Sequence, residues 1–124
     1  MNARKYDAPI LVATLTALAA SGATDSIRLK SFDAVVVLAN FTTITAGSIT
    51  LVPELSSDNG TTWYALYGGA GATAYSSGAI SAAGARAIQI PGPLGVLFRV
   101  SFTIATGPVT GTIHFEPVKS GVQG

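Results

Sequence analysis

The chain has 124 residues, of which 7 are Lys or Arg, 6 are Asp or Glu and one is histidine, giving a formal net charge of +1. This length suits one domain with one core; the lack of cysteine excludes disulfides and thiolate chemistry, and basic runs no longer than Arg4-Lys5 exclude nucleic-acid binding driven by phosphate charge. A mean hydropathy of +0.49, from Ala, Val, Ile and Leu beside many Ser, Thr and Gly, describes a weakly charged surface of the kind that neighbouring subunits cover.

At the amino end, Arg4-Lys5, the run Pro9 to Ala20 and the small residues Ala20-Ser21-Gly22-Ala23 have the layout of a secretory signal. Asp7, Thr14 and Thr16 break that layout, so no signal peptide is expected, and the run is too short to span a bilayer as a helix. Ala and Leu favour a helix here, but Ile10, Val12, Thr14 and Thr16 alternate with Leu11, Ala13, Leu15 and Ala17. The alternation predicts an extended arm or edge strand within residues 1–23, closed by Gly22. A β domain is expected over 24–118 and a polar tail over 119–124. Ile27 and Leu29 mark a short strand, and Val35-Val36-Val37-Leu38 a strand covered on both faces.

After a turn at Ala46-Gly47, Ile49, Leu51 and Leu55 share one face while Thr50, Val52 and Glu54 take the other. Pro53 has no donor, which predicts an edge strand or a bulge there. Leu55 to Tyr64 then reads strand, tight turn, strand: Asp58-Asn59-Gly60 accepts positive φ, and Ser56 and Asp58 can bond the nearby backbone. The spacing Ser56-x-Asp58-x-Gly60-x-x-Trp63 resembles the Asp-box, a structural turn of sialidase-type propeller blades. That resemblance implies a turn that sets strand register and sends Trp63 to the core. Gly68 to Gly84 is rich in Gly, Ala and Ser, a long loop expected to be mobile or shaped by a neighbour, with Tyr75 its only large side chain.

Arg86 to Ile90 reads as a strand stopped by Pro91-Gly92-Pro93. The cleanest alternation follows, with Leu94, Val96, Phe98, Val100, Phe102 and Ile104 on one face and Leu97, Arg99, Ser101 and Thr103 on the other. Gly107-Pro108 turns it into Val109, Gly111, Ile113 and Phe115, so that Arg99 is expected opposite His114 or Glu116, and Pro117 is expected to end the strand. About seven or eight short, evenly spaced strands predict an all-β fold, an antiparallel β-sandwich or jelly-roll.

Chemistry is sparse. His114 sits among Thr110, Thr112 and Glu116 on a strand, the description of a sheet face and not of a catalytic cleft. Asp25, Asp33, Glu54, Asp58 and Glu116 are dispersed, so neither a metal set nor a catalytic carboxylate pair is expected, and no cofactor. The glycine-rich stretch lacks the Gly-Lys-Ser/Thr ending of a phosphate loop. Arg28, Lys30, Arg86 and Arg99 suit an acidic neighbouring surface or solvent. Trp63, Tyr64, Tyr67 and Tyr75 leave a carbohydrate-binding module open as an alternative.

From about Phe41 to Tyr67, with Ser-x-Asp-Asn-Gly-Thr-Thr-Trp between two strands, and again in Leu97-Phe98-Arg99-Val100 and Gly111-Thr112-Ile113, the chain resembles small virion proteins of tailed bacteriophages. The resemblance covers about two thirds of the chain. It implies a non-enzymatic sandwich built into the virus particle, assembled in the host cytoplasm, decorating or cementing the shell of the major capsid protein. A head-tail connector, tail-tube or fibre-base component is the alternative within a virion. In that reading the arm and the loop contact neighbours through Tyr6, Ile10, Val12, Leu15, Tyr75 and Arg86, and the protein is a homo-oligomer, with a trimer among the candidates. Membrane and nucleic acid are not expected partners.

Overall fold

Alternation of β-branched and aromatic residues with small polar ones sends the chain into strands throughout. In the computed structural model these are β1 (Asn2–Tyr6), β2 (Ile10–Leu18), β3 (Gly22–Ala23), β4 (Ile27–Arg28), β5 (Ala34–Ile44), β6 (Gly47–Ser56), β7 (Tyr64–Ala65), β8 (Gly84–Ile90), β9 (Leu97–Thr106) and β10 (Val109–Gln123). The structure describes residues 2–6, 9–29, 34–66, 76–90 and 97–123, with side chains described among those from 9 to 118. Leu94 and Val96, expected in the core, lie outside the described residues, as does Tyr75.

The strands form two five-stranded antiparallel sheets, and no helix occurs among the described residues. The all-β antiparallel sandwich expected from the alternation is the fold; the extra strands are the two-residue pieces β3, β4 and β7. In the first sheet β10 is central, with β5 along one side, β1 and β2 end to end along the other, and β8 beyond β5. In the second sheet β9 lies between β6 and the pieces β3 and β4, with β7 beyond β6.

The core is what the inward faces supply: Val35, Val37, Ala39 and Phe41 of β5, Ile113 and Phe115 of β10, Ile49 and Leu51 of β6, and Phe98, Val100, Phe102 and Ile104 of β9. Phe98 and Phe115 meet across the two sheets edge to face, with centroids 5.0 Å apart. Gly111 lies at a register shift of β10 against β5, and the strands approach so closely that a Cβ there would strike the Asn40 carbonyl oxygen and come 2.8 Å from Phe41 Cα. Gly111→Ala is therefore expected to cost about 2 to 3 kcal/mol, read as a lower urea midpoint, because backbone must move to admit the methyl group.

Several expectations are corrected. Of the two readings of residues 1–23, arm or edge strand, residues 10–18 take the second: β2 is an edge strand that pairs with β10 from Leu18↔Val109 to Ile10↔Phe115, and no free arm. Val12 and Leu15 are 4 % and 2 % exposed, so they are core residues and not partner contacts. Pro117 does not end β10, and residues 119–123 are strand and not tail, pairing with β1 from Lys5↔Lys119 to Asn2↔Gln123. Pro117 falls between the last β2 pair, Ile10↔Phe115, and the first β1 pair, Tyr6↔Val118, where that edge asks no bond of it.

Pro53 does not make β6 an edge either. The amide nitrogens of Ile49 and Leu51 both point away from β9, to Ile80 O (3.0 Å) and Ser77 Oγ (2.9 Å), and Pro53 continues that row. Its missing donor thus falls between the Ser77 contact and β7, while its carbonyl accepts from the Leu66 amide at 3.1 Å. The same bonds revise the Gly68 to Gly84 loop, since residues 77–80 are sewn to β6.

Candidate functional site

The sandwich presents two outer faces, and its polar chemistry gathers on that of the second sheet. Outward residues of β6 and β9 stand opposite in the pairs Thr50↔Thr103, Val52↔Ser101, Glu54↔Arg99 and Ser56↔Leu97. Arg99 was expected opposite His114 or Glu116. It pairs with Glu54 instead, because the turn at Thr106 and Gly107, both at positive φ, carries β10 out of the sheet that holds β9. Arg99 Nε donates to Glu54 Oε1 at 2.7 Å.

The turn after β6 folds over this face. Ser56 Oγ donates to Asp58 Oδ1 (2.9 Å) and accepts from the Gly60 amide (2.9 Å), while Asp58 Oδ1 also accepts from the Thr62 amide (2.8 Å). Asn59 and Gly60 take the positive φ the turn requires. Asn59 Oδ1 accepts from Arg28 Nη2 at 3.0 Å. Ser56, Asp58 and Gly60 thus have the structural role read from their spacing. By covering Leu97, on the outward side of β9, the turn also leaves that residue only 7 % exposed.

Trp63 is where the expectation fails. The indole is half-buried on the outer face and not in the core, with the Arg99 guanidinium 4.2 Å from its ring centroid. A cation held by Glu54 at one side and stacked on an aromatic ring is fixed in place. Arg99→Ala is expected to shift Trp63 emission to the red, raise its quenching by acrylamide, and cost about 1 kcal/mol through loss of the stack and the partly buried ion pair. Tyr64 beside it is 61 % exposed.

The Asp58 carboxyl is held down at about 2, below its ordinary 3.8, first by the Thr62 amide and then by the Thr62 and Ser56 side chains. A depressed folded-state value means that the charged group stabilises the turn in full above about pH 4 and loses that contribution as pH falls through about 2. Asp58→Ala is expected to lower the urea midpoint at pH 7, and the gap to wild type is expected to narrow as pH falls from 4 through about 2, as urea titrations across that range would read.

The outer face of the first sheet is different in kind. Leu11 of β2, Val36, Leu38, Asn40 and Thr42 of β5, Ala85, Ala87 and Gln89 of β8, and Thr110, Thr112, His114 and Glu116 of β10 point outward in register. Glu116 carries the only formal charge in that set. His114 lies between Leu38 and Leu11, which is 52 % exposed, as a residue of a sheet face. Leu38, Asn40, Ala85, Ala87, Thr112 and His114 line a shallow concavity of about 400 Å³ here.

The residues expected to bind a partner are therefore divided. Ile10 is exposed at the end of β2, Arg86 is half-buried on β8, Val12 and Leu15 are buried, Tyr6 has its backbone in β1 with its side chain outside the description, and Tyr75 lies wholly outside it. Alternation marked His114 as facing apart from Ile113, and the unbroken run Val35-Val36-Val37-Leu38 gave only a strand covered on both faces; neither said that Leu11, His114, Leu38 and Ala87 form one row across four strands. Among the described residues no group of three or more His, Asp or Glu could hold a metal ion. Comparison of the sequence with protein-family models finds no match, and comparison with curated proteins finds no significant one.

Proposed function

We propose that the protein is a non-enzymatic structural subunit of a tailed-bacteriophage particle, a decoration or cement protein that binds the shell of major capsid protein in the virion. The observation that carries this reading is the outer face of the first sheet, a wide surface of Leu, Val, Ala, Thr and uncharged polar residues on which, among the described side chains, Glu116 is the single formal charge. Such a face suits burial against another protein more than life in water. The resemblance of the Ser56 to Trp63 hairpin and of the β9 and β10 strands to small virion proteins points the same way. The mechanism is adhesion: apolar burial and backbone contacts tie neighbouring shell subunits together.

Purified protein added to particles that lack it is expected to co-sediment with them, at a stoichiometry of many copies over the shell by cryo-microscopy. A single ring at one vertex would favour a connector or tail role. Leu38→Glu should leave folding intact, since the residue faces outward, yet place an unpaired charge in the interface; a desolvation cost of about 2 kcal/mol lowers binding about 30-fold. Undiminished binding by this variant would remove the first sheet's outer face from the interface.

A further inference from the structure

A sandwich of two open sheets has four edges, and three of these are blunted. Along β1 and β2 the register slips between Ala3 and Lys5 and again opposite Gly111 and His114. On the second sheet, β3 and β4 are two-residue pieces, and the far side of β6 is closed by β7 and by residues 77–80. The fourth edge is β8. It holds seven successive pairs with β5, Val35↔Ile90 to Phe41↔Gly84, without a register shift, and contains no proline and one charge, Arg86. Among the described residues its backbone bonds only within the β5 ladder. Every second residue of such a strand turns its N–H and C=O outward, which is a template for one more strand.

Both flanks of this edge are hollow. On the outward side, Ala85 and Ala87 form a low rim to the concavity of about 400 Å³ that reaches Thr112 and His114. On the other side a groove, also of about 400 Å³, runs between β8 and residues 77–82, lined by Ala79, Ile80, Ala82, Arg86 and Ile88 among others. A strand added to an edge sends alternate side chains to opposite faces, so each hollow would receive every second one. Among the described residues Arg86 is the only formal charge lining either hollow. Its one polar contact among the described residues is a 3.5 Å bond from Nη1 to the Gly84 carbonyl.

We propose that the free edge of β8 is a strand-addition site whose occupant is an extended segment of a different protein, with small apolar side chains and one carboxylate placed for Arg86. A second copy is the weaker fit: two-fold pairing of β8 centred on Ala87 sets Arg86 opposite Ile88 and brings both guanidinium groups to one face with no acid beside them. This site stands apart from the virion reading and holds whatever assembly the protein joins.

The test uses the full ¹⁵N-labelled chain and synthetic nonapeptides of alternating Thr and Ala with a central Glu, the same with Gln, and two Glu peptides N-methylated on one or the other alternate set of residues. The Glu peptide is expected to bind saturably, shifting amides of residues 84–90 and 77–82. The Gln peptide, and Arg86→Gln with the Glu peptide, should each weaken binding about tenfold. One N-methylated peptide should lose binding and the other keep it, because only one edge of the added strand pairs with β8. No shift on 84–90, equal affinity of the Glu and Gln peptides, or equal behaviour of the two methylated peptides would overturn the proposal. A concentration-dependent dimer in sedimentation, with shifts on those amides upon dilution, would replace the foreign segment by a second copy.

Discussion

A chain lacking residues 1–20 is expected to lose cooperative unfolding altogether. With β2 gone, Val12 and Leu15 leave the core, and the Ala17 amide bond to Thr110 Oγ1 at 2.9 Å disappears with them. The long free side of β10 is opened from Val109 to Phe115. Truncating one buried leucine to alanine already costs about 2 to 5 kcal/mol, and the whole stability of a domain this size is about 5 to 15. Urea titration followed by circular dichroism decides the matter: a broad, non-cooperative curve is expected, and a sharp transition near the wild-type midpoint would make β2 an accessory strand. Any loss of partner binding in such a truncation would therefore report unfolding and not a missing arm.

Phe115→Ala and Phe98→Ala are each expected to cost about 3 to 5 kcal/mol. Both rings are fully buried, and each sheet contributes one of them to an edge-to-face contact at 66° between planes. Removing either leaves a cavity that neighbouring Val100 and Ile113 cannot fill without leaving their own rotamers. The double variant should lie about 0.5 to 1.5 kcal/mol short of the sum of the two singles, the measure of the ring pair beyond area burial. Strict additivity in urea midpoints would show that the contact contributes nothing of its own.

Alternation made the all-β class, the inward row Phe98, Val100, Phe102 and Ile104, and the inward row Val109, Gly111, Ile113 and Phe115 readable without coordinates, because a strand buried on one face writes its period into the sequence. Periodicity says which face a residue takes and is silent on which strand lies beside it. Hence Arg99 was placed outward correctly but beside the wrong partner, and Glu54, also outward, was not matched with it. The prolines misled for a related reason. A missing donor matters only on the side where a neighbour asks for it, and that side at Pro53 and Pro117 depends on the topology. The turn chemistry of Ser56, Asp58 and Gly60 was legible because its partners are at most four residues away. Trp63 was not, since the cation that covers it comes from a strand far along the chain.

The position of β10 at the centre of the first sheet also sets an order of events in synthesis. β1 and β2 are made before every other strand, yet their ladder partner is made after all of them. The nascent protein carries Ile10 to Leu18 unpaired until Val109 to Phe115 has emerged from the ribosome. Closure of that sheet thus waits for the last of the ten strands and has a large loop to close, the kind of topology that folds slowly.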